Sequence, residues 1–337
     1  MIRTYLKAVV PTNSYLRPLF GSNHLHLQMF QQSGCGNIGF RAVAANIGRQ
    51  KAQYGDRPLY EPKVKSEPKV KTIQNLALDI DLDVLDTKGI RNIQTSITFE
   101  LVQGFVVQKA GHSFTECEDI WGYAQKEHGM AIALADGATE SSFAQEWAGL
   151  LVNNFVQDLP IEHELIPWLK GLQNQWLSWL AAQELPWFAK RKAAAGAFAT
   201  FISLWLSEQS WRVMAVGDSC LFVVRDRQLI ISFPQKSSQD FNHTPALIGT
   251  HLRPEHLQIL TMQGDLQMGD RFYLTTDAIA CWILRQIEAN QNPWVKLEQI
   301  DSQALWVDWV NQLRDRHEIA NDDTTLLCLV AKASCQS

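Results

Sequence analysis

Four apolar runs follow one another closely in the middle of this 337-residue chain, and they constrain its fold more than any other feature. Each run has the length of a β-strand, and only short turns separate them. They cover residues 198–206, 211–217, 219–224 and 229–233. A parallel sheet would need a helical crossover between successive strands, and the gaps leave no room for one. The order therefore argues against a sheet built from β-α-β units.

Helices are predicted on both sides of these strands, because apolar residues recur there at helical spacing. The predicted helices cover about 143–155, 162–183 and 301–316. Ser142 is placed to cap the first helix, with Gln145 three residues later to complete a capping box. A last strand is expected at 325–331. Helices and strands that occur in separate blocks predict an α+β domain, with sheets in the core and helices outside.

The composition supplies material for a packed core, since 46% of the residues are hydrophobic and 19% are charged. Four tryptophans lie on and after the second predicted helix. They are Trp168, Trp176, Trp179 and Trp187. We expect them to pack in the core rather than to form an aromatic ligand site.

Four aspartates each lie where an apolar, strand-like run meets a turn. They are Asp136, Asp218, Asp277 and Asp322. An acid at the end of a buried strand points from a rigid scaffold into a cleft lined by loops. Several acids that converge there would repel one another unless cations lay between them, and Mg²⁺ and Mn²⁺ take oxygen ligands of this kind. One Asp in a turn is common, whereas the ordered set predicts a metal site.

The chain is divided by charge. Residues 1–71 carry 11 Lys and Arg against 3 Asp and Glu, whereas the remainder carries 19 against 32. The basic part ends in a tandem Glu-Pro-Lys-Val-Lys, at 61–65 and 67–71, which cannot bury a core. We therefore expect a basic, poorly ordered N-terminal extension and linker over 1–72. A folded catalytic domain is expected over 73–333, with an early strand of alternating pattern at 77–85.

Several classes of protein are excluded by composition. No apolar run reaches the roughly 18 residues of a membrane span, and the first residues lack the pattern of a secretory signal. The six cysteines are scattered without a Cys-x-x-Cys pair, which is typical of reduced thiols in a cytosolic protein. The basic extension shows no alternation of aromatic and basic residues. We expect a cytoplasmic protein with no membrane span and no nucleic-acid partner.

The acids belong to six short motifs that occur in a fixed order. These are Glu118-Asp119 before Trp-Gly-Tyr, Leu134-Ala-Asp136-Gly137, the strand of small and apolar residues from Ala197 to Leu206, Val216-Gly-Asp218-Ser219, the segment from Gly269-Asp270 to Thr276-Asp277, and Asn321-Asp322-Asp323-Thr324. Together they resemble the motifs of the metal-dependent protein phosphatases of type 2C, the serine/threonine phosphatases also called the PPM family, in their bacterial form. The resemblance covers roughly residues 105–332.

This resemblance implies an αββα four-layer sandwich, in which two antiparallel sheets pack face to face with helices outside. It also implies a centre of two Mn²⁺ or Mg²⁺ ions, with a third, weaker ion in many bacterial members. Asp136 would bridge two ions, and the Gly137 carbonyl would bind one of them. Asp277 and Asp322 would complete the shell of the other ion.

Three further acids receive roles from the same resemblance. Glu118 and Asp119 would hold metal-bound waters, and Asp218 would contribute to the third ion. Asp136, Asp119 and Glu118 would thus form the catalytic set. The implied reaction is the hydrolysis of phosphoserine and phosphothreonine in proteins by a water that the metal centre activates. The implied partners are a phosphorylated protein substrate and the pathway of a cognate serine/threonine kinase.

Several positions depart from the family pattern, and two of them bear on substrate binding and proton transfer. Phe114 stands where many members have an Arg that binds the substrate phosphate, and His112 or Arg253 could replace it. Ala138 stands where some animal members have a His proposed to protonate the leaving group. These departures motivate a second hypothesis, a catalytically impaired regulatory or phosphoprotein-binding module. A hydrolase of small phosphoesters is a third.

Overall fold

The computed structural model describes residues 96–334, except 242, 243 and 252. The predicted N-terminal extension over 1–72 and the predicted strand at 77–85 lie outside the described residues. Within 96–334, no helix combines the length and the apolar character that a membrane crossing requires.

Two antiparallel sheets form the centre of the described part. Its strands are β1 (Ser96–Val107), β2 (Asp119–Lys126), β3 (Gly129–Gly137), β4 (Phe198–Ser207), β5 (Ser210–Val216), β6 (Cys220–Arg225), β7 (Gln228–Phe233), β8 (Ile248–Gly249), β9 (Leu260–Asp265), β10 (Arg271–Thr275) and β11 (Thr324–Ser334). One sheet has the order β1-β11-β10-β6-β7. The other has the order β2-β3-β4-β5-β9, and the short β8 pairs with β4. The connection between β5 and β6 therefore carries the chain from one sheet to the other.

Six helices flank the sheets in this part of the chain. They are α1 (Ala144–Asp158), α2 (Leu165–Ala181), α3 (Trp187–Ala193), α4 (Asp277–Glu288), α5 (Pro293–Glu298) and α6 (Gln303–Asp315). Helices α1 and α2 pack on the sheet that contains β3 and β4. Helices α4, α5 and α6 pack on the sheet that contains β10 and β11.

Alternation along the strands explains how each sheet packs on two sides. On β4, Ile202 and Leu204 point between the sheets, where they join Phe272 and Leu274 of β10 in one buried core. Phe201, the residue before Ile202, belongs to the separate core beneath α1 and α2. The predicted α+β class and the αββα sandwich implied by the family resemblance are thus both confirmed.

The predicted helices 143–155 and 301–316 correspond to α1 and α6, but the predicted cap of α1 is wrong. Helix α1 begins after Phe143, which has a left-handed backbone (φ 61°) and makes no side-chain capping bond. The Phe143 ring packs instead against Trp176 and Trp179, with centroid separations of 6.4 and 5.5 Å. Aromatic packing therefore fixes the start of this helix in place of a Ser142 hydroxyl.

The expectation for the tryptophans is confirmed for three of the four. Trp176 is 1% exposed, and Trp168 and Trp179 are partly buried against the same core. It is wrong for Trp187, which is 73% exposed on α3. Helix α3 was not predicted, because it is only seven residues long.

Candidate metal centre

The register of β2 and β3 brings two of the predicted acids opposite each other. Asp119 is the first residue of β2, and it pairs with Asp136 near the end of β3. Asp136 in turn lies opposite Thr200 of β4. Directly opposed residues of antiparallel strands point to the same face, so both carboxylates leave this sheet on one side.

The second sheet contributes acids from two neighbouring strands. Asp277 follows β10 after a single residue, Thr276, and it is the first residue of α4. Asp322 lies two residues before β11 begins. Because the last residue of β10, Thr275, pairs with Leu326 of β11, both acids lie at the same end of this sheet.

Two threonines of the second sheet bind an acid of the first. Thr325 Oγ1 donates to Asp119 Oδ2 at 2.7 Å, and Thr276 Oγ1 donates to the same oxygen at 3.2 Å. The Thr276 hydroxyl also accepts from the Thr325 backbone N–H at 3.0 Å, which fixes its direction. These bonds bring the acids of the two sheets together at one edge of the sandwich.

Asp218 lies in the turn from β5 to β6, where the chain passes between the sheets, and it is 5% exposed. The turn depends on Gly217, whose φ of +103° is one that other residues rarely adopt. A Cβ at Gly217 would also lie 2.6 Å from the Thr200 Cβ. Thr200 and Ser219 bind each other through their hydroxyls at 3.0 Å, which anchors the turn to β4.

The acids affect one another strongly. Burial, followed by the charges of Asp218 and Asp322, raises the pKa of Asp277 to about 7. Burial and the charge of Asp322 raise the pKa of Asp218 to about 6. The pKa values of Asp119 and Asp136 lie well above the ordinary value for the same two reasons. Burial also raises the pKa of Asp322, although Lys109 opposes this effect.

One buried oxygen at the centre of this cluster lacks a protein partner. Asp119 Oδ2 accepts from two threonines, whereas Asp119 Oδ1 is buried and has no hydrogen-bond partner in the described residues. A buried carboxylate oxygen without a partner carries a desolvation cost of about 1–3 kcal/mol or more. A metal-bound water or an ion beside Oδ1 would remove that cost.

The donor set fits Mg²⁺ or Mn²⁺. All five aspartates provide hard oxygen ligands, and their mutual repulsion favours cations between them. In the described part of the chain, no three His, Cys, Asp or Glu side chains are grouped closely enough to enclose an ion by themselves. Waters would therefore complete the coordination shell of a Mg²⁺ ion here, since Mg²⁺ usually keeps several of them.

Gly137, the predicted backbone ligand, is held where no side chain fits. A Cβ there would lie 2.8 Å from the Cβ of Ala144, the first residue of α1. The Gly137 N–H donates to the Glu118 carbonyl oxygen at 3.2 Å. Gly137 therefore lets helix α1 begin directly against the strand that carries Asp136.

Asp323 organises the loops around the site. Its carboxylate accepts from the Lys109 N–H at 2.8 Å and from the Glu118 N–H at 2.7 Å. Both of its oxygens are thus committed to backbone groups of the loops that carry Lys109 and Glu118. Glu118 is partly buried, and that burial raises its pKa.

Lys109 is a functional candidate that the sequence analysis missed. Its ammonium is largely buried, donates to Thr139 Oγ1 at 2.8 Å and lies 3.5 Å from Glu118 Oε2. It is therefore a cation within the group of acids. No motif marks it, because a single Lys two residues after a strand is common in any sequence. The proposed substitutes for the missing Arg, His112 and Arg253, are both exposed.

Arg314 of α6 was also missed, although it is buried beside the last motif. Its guanidinium donates to the Asp322 carbonyl oxygen at 2.6 Å and to the Gln108 carbonyl oxygen at 3.0 Å. It thereby ties the loop that carries Asp322 to the loop that leads to Lys109. The helical period of α6 predicts that this position faces inward, but not which loop it binds.

The chain matches the family model for protein phosphatase 2C over residues 109–326, a range that contains every acid of the site. A search of curated protein sequences finds no match.

Two solved phosphatase structures are similar to this chain. The serine/threonine phosphatase Stp1 from Staphylococcus aureus is 16% identical with a TM-score of 0.50, and the match covers 68% of this chain and 95% of that one. The catalytic domain of the phosphatase PstP, solved with two manganese ions, is 13% identical with a TM-score of 0.46, over 71% of this chain and 99% of that one. At 16% identity, the likeness to Stp1 shows the fold alone.

The family match spans well over half of the chain, and its range includes the acids that the two sheets bring together. The chain therefore belongs to the protein phosphatase 2C family, the metal-dependent serine/threonine protein phosphatases that its motifs resemble.

Proposed function

We propose that this chain is an active phosphatase that hydrolyses phosphoserine and phosphothreonine in proteins at a centre of two Mn²⁺ or Mg²⁺ ions. The observation that carries the proposal is the convergence of five aspartates from both sheets. They are Asp119, Asp136, Asp218, Asp277 and Asp322. Burial raises the pKa of all five, and the charges of other members of the set raise it further in all but Asp322. Carboxylates that oppose one another's ionisation in this way favour bound cations.

The residue roles are part of the proposal. Asp136 would bridge the two ions, with the Gly137 carbonyl on one of them and Asp277 and Asp322 on the other. Asp218 would take part in a third, weaker site. When bound, the ions would lower the pKa of a coordinated water and neutralise charge on the phosphoryl oxygens.

The chain's own groups prepare this site. Thr276 and Thr325 both donate hydrogen bonds to Asp119 Oδ2, which leaves Oδ1 free to orient a water. Glu118 would help to orient the same water. We assign Lys109 to the phosphoryl oxygens of the substrate, because a lysine ammonium binds phosphate as a point charge. Thr139 Oγ1 accepts a hydrogen bond from that ammonium and helps to hold it in place. Ala138 offers no proton donor, so the leaving oxygen takes its proton from water.

The catalytic domain is proposed to extend over 73–333, which includes the matched residues 109–326. A phosphorylated protein substrate and an opposing serine/threonine kinase follow from this activity as further predictions. Signalling in the cytoplasm is a prediction of the same kind.

Hydrolysis of a phosphothreonine peptide by the purified full chain tests the proposal, with Mn²⁺ and with excess EDTA. Asp136→Asn should lower turnover by at least about 100-fold, because it removes the bridging ligand. Asp226→Asn is the matched control, since Asp226 lies exposed in a turn at φ 49°, a backbone that Asn also adopts. Undiminished, metal-dependent turnover by Asp136→Asn would show that the metal assignment is wrong.

A second candidate is favoured by Phe114 and Ala138, which lack the chemistry found at these positions in other members. It is a catalytically impaired module that binds metal or phosphoprotein. No turnover by a folded chain that still binds Mn²⁺ in calorimetry would support it. Turnover of sugar phosphates or nucleotides, but not of phosphopeptides, would instead support a hydrolase of small phosphoesters.

A further inference from the structure

Helix α3 exposes two large aromatic side chains that the fold does not use. Trp187 is 73% exposed and Phe188 is 56% exposed. Their rings contact each other edge to face, with centroids 6.2 Å apart. Of the seven residues of α3, only Ala193 is buried. Exposed aromatic residues that occur next to each other are more often binding surfaces than single exposed apolar residues are.

The same helix carries a concentrated positive charge. Lys190, Arg191 and Lys192 follow the aromatic pair after Ala189, and all three are exposed. The Arg191 guanidinium carbon lies 5.8 Å from the centre of the Trp187 ring. This cation–π contact keeps charge and aromatic surface together. The surface formed by 187–192 is therefore both apolar and basic.

The α3 surface lies next to the candidate metal centre in the chain and in its hydrogen bonds. After α3 the chain turns at Gly196 into β4, and the Phe198 carbonyl oxygen accepts from the Ala138 N–H at 2.9 Å. The Phe198 N–H donates to Ser141 Oγ at 3.2 Å. The loop bound in this way follows Asp136 and Gly137 directly. A partner bound on α3 is thus held at the flank of the site.

Charge decides what kind of partner fits. Beyond residue 71 the chain carries 19 Lys and Arg against 32 Asp and Glu, so α3 is a local basic surface on an acidic protein. A broad anionic membrane would be repelled by the net negative charge that the chain carries beyond residue 71. A single peptide would contact only the basic surface, since salt screens charges beyond about 8 Å.

From these observations we propose that the α3 surface binds an acidic segment with apolar residues in the phosphoprotein substrate, and so delivers the phosphorylated residue to the site. The inference rests on the proposed phosphatase function. Docking next to the site raises the effective concentration of the phosphorylated residue there. It adds specificity without any change at the metal ligands.

A series of phosphothreonine peptides tests this proposal. Each peptide carries a cluster of Asp and Leu residues, placed at increasing distances on either side of the phosphothreonine. A matched set carries Asn in place of Asp. For the best-spaced Asp peptide, K190E/K192E and W187A/F188A should each raise KM by about tenfold with little change in kcat. Neither variant should alter KM for the Asn peptides or for p-nitrophenyl phosphate.

The matched control is K296E, which reverses an exposed lysine of α5, on the other sheet's side of the sandwich, and should leave KM unchanged. Fluorescence anisotropy of the labelled Asp peptide gives a Kd that does not depend on turnover. An inactive chain whose Kd still rises in the α3 variants would contradict the phosphatase function but not the docking. Equal effects on Asp and Asn peptides, or none, would overturn the docking proposal.

Vesicles of phosphatidylcholine with phosphatidylglycerol test whether the α3 surface binds an anionic lipid surface instead of an acidic peptide. The docking proposal expects that K190E/K192E does not change the fraction of the chain that co-sediments with them. Co-sedimentation that K190E/K192E abolishes, together with an unchanged Kd for the Asp peptide, would overturn the proposal in favour of a lipid surface.

Discussion

Thr325 Oγ1 donates a 2.7 Å hydrogen bond to Asp119 Oδ2, and the bond joins the last strand of one sheet to the first acid of the other. The two residues are 206 positions apart. A carboxylate that is 4% exposed depends on such donors, because hydrogen bonds to charged groups contribute about 1.5–3 kcal/mol. The site therefore depends on the packing of the two sheets as much as on the acids themselves.

Thr325→Val should weaken Mn²⁺ binding and lower the free energy of unfolding by about 1–3 kcal/mol, because Asp119 loses a donor. Calorimetry with Mn²⁺ and thermal unfolding in EDTA measure the two effects. Thr325→Ser keeps the hydroxyl and should behave nearly as the wild type. Equal losses in both variants would assign the effect to the methyl group rather than to the bond.

Lys109→Met should lower kcat/KM for phosphothreonine peptides by about 100-fold, because it removes the ammonium assigned to the phosphoryl oxygens. Lys109→Arg should recover part of that loss, and inorganic phosphate should inhibit Lys109→Met more weakly than the wild type. Lys296→Met, at an exposed position of α5, is the control. Inhibition by phosphate that is unchanged in Lys109→Met would restrict Lys109 to a structural role.

Stability of the metal-free chain should fall as pH rises. Folding raises the pKa of Asp218 from 3.8 to about 6 and that of Asp277 from 3.8 to about 7. The folded state therefore binds more protons than the unfolded state between about pH 4 and 7, and it loses this advantage as pH rises through that window.

Thermal unfolding in EDTA from pH 5 to 8 measures this effect, with the double variant D218N/D277N as the comparison. The variant should show a flatter dependence on pH, and saturating Mn²⁺ should reduce the slope of the wild type. A wild-type chain that is more stable at pH 8 than at pH 5 in EDTA would contradict the prediction.

Gly137→Ala should destabilise the chain by about 1–3 kcal/mol and weaken Mn²⁺ binding, because its Cβ would force α1 away from β3. Gly171→Ala is the matched control, since no atom lies within 4 Å of a Cβ at that position of α2. It should instead stabilise the chain by about 0.5–1 kcal/mol. Denaturant unfolding of the two variants measures both changes.

The sequence was informative where the relevant signal is local. Asp136, Asp218 and Asp277 each follow an apolar run, and Asp322 precedes one, so their positions at the ends of strands could be predicted. Helix α4 also had a local signal, because Ile279 and Ile283 recur at helical spacing within it. It was missed because the segment was interpreted only as a strand that ends at Asp277.

Contacts between distant parts of the chain could not be predicted in this way. Nothing near Lys109 in sequence indicates that its ammonium binds Thr139, 30 positions later. The helical period of α6 places Arg314 on an inward face but does not identify its partners. The exposure of Trp187 was mispredicted because aromatic composition alone favours burial.

The turn through Gly217 and Asp218 carries the chain from one sheet to the other, and the acids around it come from both sheets. An ion held by Asp136 on one side and Asp277 on the other would resist any sliding of the sheets past each other. Metal occupancy should then be visible far from the cleft. Amide hydrogen exchange along β4 and β10 should slow together when Mn²⁺ is added, because an ion bound by both sheets restrains their relative motion.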